Sequence, residues 1–173
     1  MWLKFLLYLI IILFVSLCQI TLLKGYGLFL RDLNLIIVVL VVLINLIEFK
    51  NVLWFVVISG LIMDIFSGLP FGIFLAVELL VAIGLEALFL NFFTNRSFYS
   101  LLIMGAIGII FYNLLFIAFT GFFYLTGLSN FFIELNYWQS ILRQLLGVIV
   151  LLIIGFYLIN SWSKRFKPIF LRS

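Results

Sequence analysis

The chain has 173 residues, of which 68% are hydrophobic and only 9% charged, with a formal net charge of +4 and a mean hydropathy of +1.44. A soluble domain carries about 25% charged residues, so this composition excludes a water-soluble fold, and 2 Pro and 1 Cys exclude collagen-like and disulfide-rich chains. No histidine is present, which removes imidazole bases and His-metal sites from consideration.

A bilayer core of about 30 Å needs roughly 20 apolar residues to cross as a helix, and six stretches approach that length: residues 5–23, 33–47, 52–66, 71–93, 98–126 and 141–161. They do not alternate apolar with polar residues as barrel strands do; residues 35–44 are continuously apolar. Helices are the other way to satisfy every backbone polar group in lipid. The expected fold is therefore an all-α integral membrane protein, a single domain of six transmembrane helices over residues 1–173 with a basic tail at 162–173.

In chain order, the first stretch follows Lys4 as a signal peptide would, but no small-residue cleavage site follows it. Leu17 precedes Cys18 where a lipobox requires a small residue. It reads as a retained helix. The second and third stretches are short, and reach the spanning limit with Asp32, Glu48, Asn51 and Asp64 near the headgroups; a re-entrant hairpin is the alternative. Gly25 and Gly27 form a two-glycine turn with no lysine-bearing helix behind it, so no phosphate loop is expected. The fifth stretch exceeds 40 Å at about 1.5 Å per residue, and must tilt, project or bend near Gly105, Gly108 or Gly121.

Lys and Arg are enriched on cytoplasmic flanks. With six crossings and the N-terminus inside, Lys4, Lys50, Arg96, Lys164, Arg165, Lys167 and Arg172 fall inside, while Lys24, Arg31 and Arg143 lie outside or near that end. An odd number of crossings would separate the basic tail from Lys4. Trp2, Trp54, Trp138 and Trp162 fall at stretch ends, where an amphipathic ring prefers the interface. The tail residues Lys164, Arg165 and Lys167 either fix topology or bind lipid headgroups or an acidic partner; nucleic acid is not expected.

Glu78 and Glu86 lie inside the fourth stretch, where each carboxylate costs about 2.5–3.5 kcal/mol at the bilayer centre. Both should turn from lipid toward other helices or a partner chain, with Arg143, Asn113 or Tyr112 as mates. Structural hydrogen bonding, an interface or gating role, and an ion path are all open readings.

The sharpest local signal is the run from Gly60 to Gly72, GLIMDIFSGLPFG, where one helix stops and another begins. Gly68 suits a left-handed turn, Pro70 the first turn of the next helix, and Gly72 a close backbone approach. Ser67 lies within the turn. Asp64 is placed to accept hydrogen bonds from the free amides that open the fourth helix, and a structural cap and a binding site are both open readings of the motif.

This pattern, Gly-Leu-x-x-Asp-x-Phe-Ser-Gly-x-Pro-Phe-Gly, resembles the signature of the MreD family of bacterial rod shape-determining membrane proteins. Length, helix number and a short basic tail are similar too. The resemblance implies a non-enzymatic subunit of the cell-elongation machinery in the bacterial inner membrane, multi-pass with both termini cytoplasmic and without a cofactor. It implies partnership with MreC, and through it with MreB, RodA and penicillin-binding protein 2. The family resembles in fold the substrate-binding subunits of energy-coupling-factor vitamin transporters, which makes such a subunit the alternative function. Those subunits dock through a small-xxx-small stripe on their first helix, whereas residues 5–23 contain no Gly or Ala. An intramembrane enzyme is weaker still, since no Ser–His, Cys–His or metal-ligand set accompanies the carboxylates.

Overall fold

The computed structural model describes residue 10 and residues 12–22, 32–92, 98–127 and 137–163. The elements among these residues are all helical. Helix α1 is Ile12–Thr21, and it widens to π geometry over Cys18–Leu22. It is followed by α2 (Leu35–Leu46), α3 (Phe49–Ser67), α4 (Ile73–Phe92), α5 (Phe98–Leu125) and α6 (Tyr137–Ser163). Of these, α3, α4, α5 and α6 are long and apolar enough to cross a membrane. The chain is an all-α membrane protein.

The second and third helices differ from their expected bounds in opposite directions. Phe49, Lys50 and Asn51 join the third helix directly after Glu48, so α3 has 19 residues and reaches spanning length. By contrast α2 has 12 residues, about 18 Å, too short to cross alone. Its position explains how so short a helix is tolerated. It lies against α3, α4, α5 and α6, and Ile37, Leu40 and Val41 are fully buried. A helix enclosed by protein does not need to match the lipid thickness, because its ends find partners inside the bundle.

Those partners are specific. Asn34 caps α2, its Oδ1 accepting the Ile37 N–H at 3.2 Å. Gln19 of α1 clasps the same end: its Nε2 donates to the Leu33 carbonyl at 2.9 Å, and its Oε1 accepts the Leu35 N–H at 2.8 Å. Of the polar residues expected near the headgroups, Glu48 and Asn51 are exposed, whereas Asp32 and Asp64 are buried.

Among successive helices the packing is most extensive for α3 on α4, then α5 on α6 and α4 on α5. Lipid supplies no hydrophobic drive to hold helices together, so close approach and dispersion contacts must do so. Small residues mark those approaches. Gly84 accommodates the Phe111 ring of α5, Gly105 accommodates Leu152 of α6, and Gly108 sits beneath Leu85 and Ile37. The helix α5 is unbroken through Gly105, Gly108 and Gly121, so two of the three glycines expected to bend it serve as packing points instead. Its 28 residues extend about 42 Å.

Candidate functional site

The GLIMDIFSGLPFG run forms the α3–α4 hairpin. Gly68 ends α3 in the left-handed region, with φ 70° and ψ 5°, as a helix C-terminus followed by a tight turn requires. Gly72 takes φ 99° with no atom near the position of a Cβ. Its role is the positive φ, and the close approach expected of it occurs at Gly60. A Cβ at Gly60 would stand 2.7 Å from the Leu75 Cα, so the two backbones touch. Pro70 lies in the linker before Ile73, not in the first turn of α4 as the sequence suggested. Ser67 Oγ closes the turn, donating to the Asp64 carbonyl at 3.1 Å and accepting the Leu69 N–H at 3.2 Å.

Asp64, buried on α3, receives the Phe74 N–H on Oδ1 at 2.9 Å and the Leu75 N–H on Oδ2 at 3.1 Å. Both carboxylate oxygens thus serve amides that the first turn of α4 cannot satisfy internally, at the positive end of its dipole. One turn deeper, Glu78 is 1% exposed and accepts the Ser59 hydroxyl on Oε2 at 2.7 Å; Ser59 is itself fully buried. Neither Arg143 nor Asn113, offered above as mates for the glutamates, takes that place. Arg143 of α6 pairs with Asp32, which precedes α2, and donates from Nη2 to Ser140 Oγ at 3.1 Å.

Asn113 belongs to a second polar group between α5 and α6. Its Nδ2 donates to Gln144 Oε1 at 2.9 Å and to the Ile109 carbonyl at 2.8 Å, while its Oδ1 accepts the Tyr137 hydroxyl at 2.8 Å. Tyr112, next to it, is buried and has the Asn34 side chain as a neighbour. These groups gather toward the end of the bundle where α4 and α6 begin. The opposite half of the interior is dominated by apolar side chains, with Asn45 an exception: its Nδ2 donates to the Val41 carbonyl at 2.8 Å.

Glu86 stands apart. It is partly exposed on α4 and not enclosed by the other helices, so of the two orientations expected of it, only the one toward a partner chain is left open. Lys164, Arg165 and Lys167 lie outside the described residues. Sequence reasoning missed Ser59, Gln19, Asn34, Tyr137 and Gln144, and gave Asp32 a headgroup position instead of an ion pair. A signal for Ser59 was available: once Asp64 is set opposite Phe74 across the turn, antiparallel register brings Ser59 opposite Glu78.

The arrangement holds helices together by pairing polar groups with one another. Known protein families, curated proteins and solved structures were compared with the chain, and none matches.

Proposed function

We propose that the chain is a non-enzymatic scaffold subunit of a bacterial cell-elongation complex, crossing the inner membrane six times with both termini cytoplasmic. In this reading it holds the membrane helix and juxtamembrane segment of an MreC-like partner. Through that partner it favours one arrangement of a glycan polymerase and transpeptidase pair such as RodA and penicillin-binding protein 2, alongside MreB. Its principal support is the division between inside and outside. Asp64, Glu78, Asn113 and Arg143 are engaged by Phe74, Ser59, Gln144 and Asp32 respectively. The outward faces carry large apolar side chains such as Leu114, Leu142 and Leu146. Such outer faces are suited to lateral packing against the helices of a partner. The hairpin motif that resembles the MreD signature supplies the particular complex.

The test is co-purification of the full chain from membranes in nanodiscs. Recovery of a membrane-anchored coiled-coil protein is the expected result. Recovery of an ATPase-coupled subunit instead would overturn it and support the transporter reading, which draws on the polar side chains collected around Asn113 and Tyr112. Thermal stabilisation by a vitamin would do the same.

A further inference from the structure

Within α4, one carboxylate is not engaged by the bundle. Leu80, Ile83 and Leu90 form the outward face of this helix, at 40%, 48% and 67% exposure. Their spacing of three and seven residues keeps them on one side. Glu86, three residues beyond Ile83, flanks that strip and is partly exposed. Among the described residues it makes no hydrogen bond and no ion pair.

Its depth excludes the simplest remedies. Glu86 lies about 20 Å along α4 from Ile73 and about 9 Å from the Phe92 end. Helical side chains lean toward the N-terminus of their own helix, so this carboxylate leans away from the nearer membrane surface and its headgroups. A second copy docked on the same face about a two-fold axis would set Glu86 against its own equivalent, like charge on like charge. The complementary occupant is a basic side chain carried into the bilayer on a different helix.

We infer that the Leu80–Ile83–Leu90 strip of α4 seats a single membrane helix of another protein, and that a lysine or arginine within about two turns of that helix's end pairs with Glu86. A basic residue at this depth keeps its apolar stem in lipid while its charged head reaches the carboxylate. The inference rests on the scaffold reading, and adds to it the face and the chemistry of the contact.

The test uses the full chain in phosphatidylcholine vesicles and measures energy transfer to a synthetic leucine-rich helix carrying one lysine at the matching depth. The same helix without lysine is the comparison. The lysine helix should associate about tenfold more tightly, a difference of about 1.4 kcal/mol. Glu86→Leu should erase the preference, and Glu86→Lys should transfer it to a probe carrying glutamate. Equal association of both probes with the unaltered chain would overturn the inference, as would a preference that survives Glu86→Leu. Self-association of the chain that disappears in Glu86→Leu would assign the strip to a second copy and overturn it likewise. Because the probe contains no sequence from the elongation machinery, its failure removes only the Glu86 contact. Failure to recover a coiled-coil partner removes only the proposed function.

Discussion

Asp64 shows how much one side chain accomplishes where water is absent. In water the opening amides of α4 could hydrogen-bond to solvent, but in lipid they need a partner from the protein. A carboxylate with two oxygens serves two of them. Asp64→Ala should therefore lower stability by about 1–2 kcal/mol, in the upper range for loss of a helix cap, read as a lowered Tm in detergent. Asp64→Asn should lose less, since its amide oxygen still accepts one bond. A Tm for Asp64→Ala equal to that of the unaltered chain would show that other groups satisfy Phe74 and Leu75. The motif made this role legible because the aspartate, the turn glycine and the next helix lie within a few residues of one another. Arg143 was misassigned because its partner Asp32 is 111 residues away, a separation at which no local spacing carries information.

At the scale of elements, the α3–α4 hairpin is held at three levels: the Asp64 cap, the Gly60 contact with Leu75, and the Ser59–Glu78 bond. The middle level is the least forgiving, since what a new side chain would meet is backbone. Gly60→Val should separate the helices and sharply reduce the yield of folded protein in gel filtration. Gly121→Val, at a site with nothing near the position of a Cβ, should change yield little beyond its small effect on helix propensity. Equal behaviour of the two variants would contradict the packing described for α3 and α4. The glycine pattern of a sequence marks places where something approaches closely or the chain turns. It does not say which, and the roles of Gly60 and Gly72 were separated only by their surroundings.

For the whole molecule, placing the polar groups inward leaves a surface suited to lipid and to other helices. In the six-crossing arrangement proposed above, a reporter fused after Ser173 should read cytoplasmic; an extracytoplasmic signal would require an odd number of crossings. The short α2 bears directly on that count. It is enclosed by four other helices, so its topology rests on how its neighbours cross, not on its own length.

The sequence by itself determined the solvent, the all-helical architecture, and the turn between α3 and α4. Each of these follows from composition or from residues close together in the chain, where apolar length and backbone hydrogen bonding leave few alternatives. Tertiary structure alone decided that a 12-residue helix could occupy the centre, that Arg143 would meet Asp32, and which of two glutamates expected to leave the lipid the bundle would enclose, Glu78 and not Glu86. The two glutamates share a helix and a composition of neighbours; they differ in which side of α4 the bundle covers, and that is settled by how the other helices pack around it.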